Sequence, residues 1–137
     1  MRSAGDVDVL FENSGNDVEL LVIGVGAFAG LAIEVGGKIA AHGRDVRVVD
    51  PRWVLPVSDD VIELARHAGA VAVVEDNLVS GGVGSAVTLA LRHAGVDVPV
   101  HTYGIPKLFL DHASRGQILE DIGLTADRLV ADLEPRL

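Results

Sequence analysis

Four short apolar runs, separated from one another by segments with helical spacing, constrain the fold of this chain most strongly. They occupy residues 18–25 (VELLVIGV), 45–50 (DVRVVD), 70–75 (AVAVVE) and 98–103 (VPVHTY). Short valine-rich runs of this kind are typical of parallel strands buried on both faces. Their alternation with helices predicts right-handed βαβ units. We therefore predict an α/β fold, a three-layer doubly wound and mainly parallel sheet of about five strands with helices on both faces.

The segments between the runs are predicted to be helical because their apolar residues recur at helical spacing and glycines follow them. Ser58 and Thr125 are good N-cap residues, whereas Gly36 and Gly37 weaken the first helix. Pro99 suits the start of a strand or an edge position. The predicted helices cover residues 27–41, 59–68, 82–94, 114–122 and 125–133.

The chain is expected to form one domain over residues 18–137, preceded by a polar N-terminal segment over residues 1–17. Val7, Val9, Leu10 and Phe11 favour a short edge strand, which the turn-like residues 13–16 would join as a hairpin to the next strand. A frayed terminus or linker is the alternative for this segment.

The composition excludes several functional classes. Hydrophobic residues make up 49% of the chain and aromatic residues 4%, so a core of Val, Leu, Ile and Ala is expected. The net charge of −9 disfavours binding to nucleic acid or to an anionic membrane. The chain has no cysteine, which excludes disulfides and thiolate sites and is compatible with a cytoplasmic protein. No signal peptide and no membrane-spanning segment are expected.

The stretch VEDNLVSGGVGSAV (residues 74–87) leads from a strand through a glycine-dense turn into a helix. Glu75, Asp76 and Asn77 follow the strand, and glycines 81, 82 and 84 allow another backbone to approach closely. An α/β domain builds its ligand or contact edge at this position. No histidine or cysteine lies beside these acids in the sequence, so hydrogen bonding at a domain contact is favoured over a metal site.

A second glycine pattern permits two interpretations. Gly24, Gly26 and Gly30 open a helix after a strand, and Asp50 ends the next strand. This arrangement is close to a dinucleotide-binding fingerprint, but its third glycine is one place late, and a tight strand-to-helix turn is the interpretation that we favour. Arg52 can hold a phosphate or carboxylate, or can pair with an acid such as Asp50. A small NAD(P)-binding protein therefore stays open as an alternative, although the residues form no self-contained catalytic set.

Three segments, in order, resemble the C-terminal domain of the 1-deoxy-D-xylulose-5-phosphate synthase family. They are DPRWVLP (50–56), VEDNLVSGGVGSAV (74–87) and YGIPKLFLDHASRGQILEDIGL (103–124). The exact sequence of the first segment is typical of actinobacterial members of the family. The middle segment is similar in related transketolases and in the β subunits of 2-oxoacid dehydrogenases, whose C-terminal domains are therefore a further alternative. The last segment points to the synthase.

The resemblance implies a transferase that condenses pyruvate with glyceraldehyde 3-phosphate for isoprenoid precursor synthesis, using thiamine diphosphate and Mg²⁺. It implies that this chain binds neither cofactor, supplies no catalytic or metal-ligating residue and is inactive alone. The implied partners are the N-terminal and pyrimidine-binding domains of the same cytoplasmic enzyme and a second copy in a homodimer. The candidates for substrate or domain contact are Arg52, Glu75, Asn77, Gly81, Gly82 and Gly84.

Overall fold

The computed structural model describes residues 2–4, 7–15, 17–51, 57–76, 82–105 and 125–137 of the chain. Short 3₁₀ turns lie at Gly26–Phe28 and Glu134–Arg136. The strands are β1 (Arg2–Ala4), β2 (Val7–Glu12), β3 (Leu20–Gly24), β4 (Val46–Pro51), β5 (Val71–Asp76) and β6 (Val100–Ile105). The helices are α1 (Ala29–Ala41), α2 (Asp59–Arg66), α3 (Gly82–His93) and α4 (125–133).

The strands form one sheet in the order β1-β2-β4-β3-β5-β6. Strands β3 to β6 are parallel, whereas β2 is antiparallel to β4 and β1 is antiparallel to β2. The predicted mainly parallel α/β sheet is confirmed. The described part of the sheet has one strand more than the five expected, and the three-residue β1 accounts for it.

The hairpin predicted between the N-terminal strand and the next strand is wrong. Strand β2 pairs with β4, and Val9 lies opposite Val49. The turn-like residues instead carry the chain past the sheet edge, and the Asn13 carboxamide binds the backbone of both Arg44 and Val46. This contact fixes the residues after β2 beside β4, so β3 is free to pair in parallel with β4 on its other side.

Two apolar clusters cover the two faces of the sheet. Leu20 and Val22 of β3 pack against α1 and α4 on one face, whereas Leu21 and Ile23 face α2 and α3 on the other. All four of these side chains are fully buried. The continuous apolar runs of the sequence therefore correspond to strands that contact helices on both sides.

The helices begin and end near the predicted residues, with small shifts. The Ser58 side chain accepts a hydrogen bond from the Val61 backbone and so caps α2. Gly43 has a φ of +90° just beyond α1, a conformation that favours glycine. The strand predicted at residues 98–103 begins at Val100, at the edge of the sheet. The predicted helix over residues 114–122 lies outside the described residues.

Gly36 does not interrupt α1 but lets it approach the sheet. A Cβ atom at this position would overlap Cγ2 of the buried Val48 on β4.

Among the described ranges, no helix has the length and apolar character needed to cross a membrane.

Candidate functional site

The carboxyl ends of the parallel strands meet at one edge of the sheet. Asp50 lies near the end of β4, Gly24 ends β3, and Glu75 and Asp76 end β5. The chain direction across the sheet reverses between β3 and β5, because β4 lies on one side of β3 and β5 on the other. Ligand and contact sites of open α/β sheets lie at such a reversal point.

Glu75 is the central buried polar residue of this edge. Its side chain is fully buried, and Oε2 accepts a hydrogen bond of 3.0 Å from the backbone N–H of Gly84. Because Gly84 lies in the first turn of α3, Glu75 satisfies a backbone donor that the helix itself leaves unpaired. The other oxygen, Oε1, is also buried and has no hydrogen-bond partner in the part of the chain that the structure describes.

Gly84 makes a second close contact, on the side facing β6. A Cβ atom here would overlap the Oγ1 atom of Thr102. The absence of a side chain therefore lets α3 lie directly on β6 while the Gly84 backbone reaches Glu75. The glycine-dense stretch serves helix packing as well as the turn that the sequence suggested.

Asp50 takes part in a separate arrangement at the ends of β2, β3 and β4. Burial raises the pKa of its carboxyl group, a hydrogen bond from the Gly26 backbone lowers it, and the nearby Asp8 carboxylate raises it again. Asp8 lies directly opposite Asp50 because β2 runs antiparallel to β4. The Asp50 carboxylate, which a dinucleotide-binding protein would offer to ribose, therefore lies beside the Gly26 backbone and the Asp8 carboxylate.

The glycines of the dinucleotide-like pattern have packing and turn roles. A Cβ on Gly24 would lie 2.6 Å from Cβ of Ala32, so this glycine lets α1 approach β3. Gly26 has a φ of +58° and starts the turn into α1. Gly30 has open space around it. Two of these three glycines are therefore required by the strand-to-helix connection itself.

The structure brings together only some of the predicted contact residues. Glu75 and Gly84 are hydrogen-bonded, and Gly82 is exposed at the first position of α3. Arg52, Asn77 and Gly81 lie outside the described residues. Sequence reasoning missed Thr102, Asp8 and the bond between Gly26 and Asp50. The alternation of Val7, Asp8 and Val9 was the one available signal, because it places Asp8 on the other side of the strand from two buried valines.

An open groove of about 390 Å³ lies between α3 and β6, beside this edge. Its lining includes Ser85, Thr88, Leu89 and Arg92 of α3 together with Thr102 of β6. Within the described ranges, no group of three or more His, Asp or Glu side chains has an arrangement that could hold a metal ion. The geometry therefore offers contact surfaces at the sheet edge and along α3.

Comparison with known proteins identifies the family. The sequence profile described as "Transketolase, C-terminal domain" matches residues 8–129. The chain belongs to the transketolase C-terminal domain family. As such a domain, it is similar in structure to a protein titled "Split gene transketolase, inactive beta4 tetramer", with a TM-score of 0.65 and 28% sequence identity. That match covers 95% of this chain and 41% of the other.

This transketolase C-terminal domain is also similar to proteins named 1-deoxy-D-xylulose-5-phosphate synthase. The relative from Mycobacterium avium is 54% identical over 120 residues, which cover 87% of this chain and 19% of the relative. The relative from Rhodococcus jostii is 50% identical over 125 residues, which cover 91% of this chain and 19% of the relative. The domain thus spans about a fifth of the length of these relatives.

These similarities confirm the resemblance to synthases of actinobacteria that the three sequence segments indicated. They give no support to the alternatives, a dehydrogenase β-subunit domain and a small NAD(P)-binding protein.

Proposed function

We propose that this chain acts as the C-terminal domain of a thiamine-diphosphate-dependent 1-deoxy-D-xylulose-5-phosphate synthase. The observation that carries the proposal is an identity of about one half to such synthases, over nearly the whole chain but only 19% of each relative. The parent enzyme would condense pyruvate with glyceraldehyde 3-phosphate in the cytoplasm. The domain would support assembly and border the active site, and it would be inactive alone.

The carboxyl edge of the sheet supports this assembly role. Glu75 holds the first turn of α3 in place through Gly84, which fixes the start of the helix at the rim. Exposed Gly82 lets another backbone approach at that point. We propose that this rim contacts the other domains of the enzyme through the six residues that the sequence suggested: Arg52, Glu75, Asn77, Gly81, Gly82 and Gly84.

The proposed partners are the N-terminal and pyrimidine-binding domains of the same enzyme and a second copy of it. We assign thiamine diphosphate and Mg²⁺ to those other domains, and none to this chain. Self-association of the chain is supported by a similar solved chain, whose title names a β4 tetramer.

A domain exchange tests the proposal. The matching C-terminal segment of the Mycobacterium avium synthase is replaced by this chain, and the condensation rate is measured by product formation. We expect the chimaera to retain synthase activity and this chain alone to have none. A chimaera in which the same segment is deleted is the matched control, and we expect it to be inactive.

Two outcomes would contradict the proposal. One is synthase turnover by this chain alone, which would make it a self-contained enzyme. The other is a chimaera that folds and binds thiamine diphosphate normally but has no more activity than the deletion control. Thiamine diphosphate binding, followed by calorimetry, separates that second result from a chimaera that has failed to fold.

A further inference from the structure

We infer that the outer face of α3, formed by Gly82, Ser85, Leu89 and Arg92, is a docking surface for a second copy of this chain. The inference rests on the proposed assembly role and names the surface that performs part of it. Four independent features of the described residues support it: charge, exposure, the neighbouring sheet edge and the distribution of ionic side chains.

The outer face of α3 lacks the acidic residues that cover most of this protein. Its sequence, GVGSAVTLALRH, contains no Asp or Glu, although the chain has 20 acidic residues. Helix α2 lies on the same side of the sheet and exposes Asp59, Glu63 and Arg66. A helix facing solvent normally carries charges along its outer side, as α2 does. The outer face of α3 has no acidic residue and carries its one arginine, Arg92, only in the last turn, which is typical of a surface that another protein covers.

Leu89 lies in the middle of this face and is the most exposed large apolar side chain of the described residues. Its exposed fraction is 55%, compared with 39% for Ile33 on α1, the other exposed large hydrophobic residue. Ser85, Leu89 and Arg92 follow one another at positions i, i+4 and i+7, so they form one stripe along the helix. The small Gly82 and Ser85 at its start allow a second helix to approach closely.

Strand β6 extends this face on one side. It is the last strand of the sheet, so its outer edge pairs with no other strand in the described sheet. Exposed edge strands of this kind are surfaces at which chains associate. The open groove of about 390 Å³ joins the edge to α3, and exposed Thr102 and half-buried Thr88 line it with small side chains.

The charges around the face favour a second copy over an unrelated partner. Arg92 and Asp97 are both exposed and line a second groove together with Val96 and Pro99. Neither residue makes an ion pair with another described residue. In a two-fold symmetric interface the same patch meets itself, so a patch that carries both signs can be self-complementary. Arg92 of each copy can then pair with Asp97 of the other.

The oligomeric state in solution tests the inference. The mass of this chain is 14.3 kDa, and sedimentation equilibrium over a range of concentrations measures the dimer dissociation constant. We expect a concentration-dependent dimer, and we expect Leu89→Asp to raise the dissociation constant at least about tenfold because it buries a charge in the interface. Ile33→Asp places the same change on α1 and is the matched control, which should leave the dissociation constant unchanged.

A charge exchange provides a second test. At 0.15 M NaCl, where the repulsion between the two net charges is largely screened, we expect Arg92→Glu and Asp97→Arg each to weaken the dimer. The double variant should recover much of the affinity, because it restores opposite charges across the interface and keeps the net charge of the parent. Circular dichroism of each variant shows whether it is folded. If Leu89→Asp fails to fold, Ser85→Arg tests the same face by blocking close approach.

Three results would overturn the inference. The first is a wild-type chain that stays monomeric at every concentration, and the second is a dimer that Leu89→Asp and Ser85→Arg leave unchanged. The third is a monomeric chain that binds the remaining synthase domains through Leu89, which would make those domains the occupant of the face. The synthase activity of the domain-exchange chimaera is measured separately, so failure of this inference is distinguishable from failure of the proposed function.

Discussion

At the end of β5, the carboxyl group of Glu75 is enclosed by protein, with one oxygen bound to Gly84 and the other without a partner among the described residues. A buried carboxyl group is costly unless its hydrogen bonds offset the loss of solvation. Here the backbone N–H of Gly84, in the first turn of α3, donates the one hydrogen bond to Glu75 that the described residues supply. The position therefore combines a structural role at the helix start with an oxygen available for a further donor.

We expect Glu75→Ala to lower the free energy of unfolding by about 2–3 kcal/mol, because it leaves the Gly84 N–H buried and unpaired and creates a cavity. Glu75→Gln is the matched control. It keeps an oxygen for Gly84 and has nearly the same volume, so its effect should stay within about 1 kcal/mol of the parent. Urea unfolding at pH 7 measures both changes. An alanine variant as stable as the glutamine variant would show that this hydrogen bond contributes little.

Two adjacent glycines in α1 have opposite expected effects when each is replaced by alanine. Gly36→Ala would force its new Cβ into Val48, a buried and stiff side chain, so we expect a loss of about 1–3 kcal/mol in the free energy of unfolding. Gly37 has open space around its position, so Gly37→Ala should gain up to about 1 kcal/mol of helix propensity. Thermal or urea unfolding of the two variants compares them, and equal effects of either sign would contradict the packing argument.

The sequence could place Glu75 and Gly84 in one contact edge because both belong to a single strand-turn-helix stretch. It could not predict that Gly84 also packs on Thr102, because those residues meet only when α3 lies across β6. The same limit applies to Asp8 and Asp50, which are distant in the chain and become neighbours through the pairing of β2 with β4. Local spacing therefore identified the edge, whereas the contacts that give each residue its role depend on tertiary packing.

Helix α4 is held on the sheet by its apolar side and by polar contacts beside it. Ala126, Leu129, Val130 and Leu133 pack into the core. The Tyr103 hydroxyl of β6 donates a hydrogen bond of 2.5 Å to Asp132. Burial, followed by this hydrogen bond, raises the pKa of Tyr103, and the same hydrogen bond is the main cause that lowers the pKa of Asp132. Arg136 and His101 lower the Asp132 pKa further.

We expect Tyr103→Phe to be less stable than the parent at pH 7, with a difference that shrinks on acidification. The pKa of Asp132 is lowered in the folded state, so its contribution is present above the unfolded value of about 4 and is lost as the pH falls through the folded value. Urea midpoints of the two proteins at pH 7 and at about pH 3 measure the difference. Asp132→Asn is the control, since it keeps an oxygen acceptor but removes the titrating group. A difference that is the same at both pH values would contradict the linkage.

Most elements of the parallel part could be predicted because each has a local cause. The runs in β3, β4 and β5 place apolar residues on both faces, and glycines or a cap mark several helix boundaries. Strand β6 begins two residues later than predicted because Pro99 has no N–H for the sheet, although its carbonyl accepts a bond from Val71. The partner of β2 could not be predicted, because nothing within residues 7–12 distinguishes β3 from β4 as its neighbour.

Apolar burial stabilises the interior of this protein, whereas its charge lies mainly on the surface. The sheet is buried on both faces by helices, whereas a net charge of −9 is distributed over the surface. The exposed ion pairs, such as Lys38 with Asp127 and Arg66 with Glu63, each contribute little to stability in water. When two copies approach each other, the repulsion between their net charges is therefore larger than the attraction of any single surface ion pair.

Salt should strengthen the proposed association of two copies. Two charges of −9 whose centres lie about 30 Å apart repel each other by about 11 kcal/mol in unscreened water. The Debye length falls from about 30 Å at 0.01 M salt to about 8 Å at 0.15 M, which removes most of this repulsion. The ion pairs between Arg92 and Asp97 would weaken with salt, but each is worth at most about 1 kcal/mol at the surface. We therefore expect the dimer dissociation constant to fall at least about tenfold between these two NaCl concentrations, as measured by sedimentation equilibrium.

A variant with a smaller net charge is the control. Asp45→Asn combined with Glu34→Gln removes two exposed negative charges on residues outside α3 and β6, and this variant should show a smaller dependence on salt. A dissociation constant that rises with NaCl would mean that local ion pairs, rather than net charge, control the approach of the two copies.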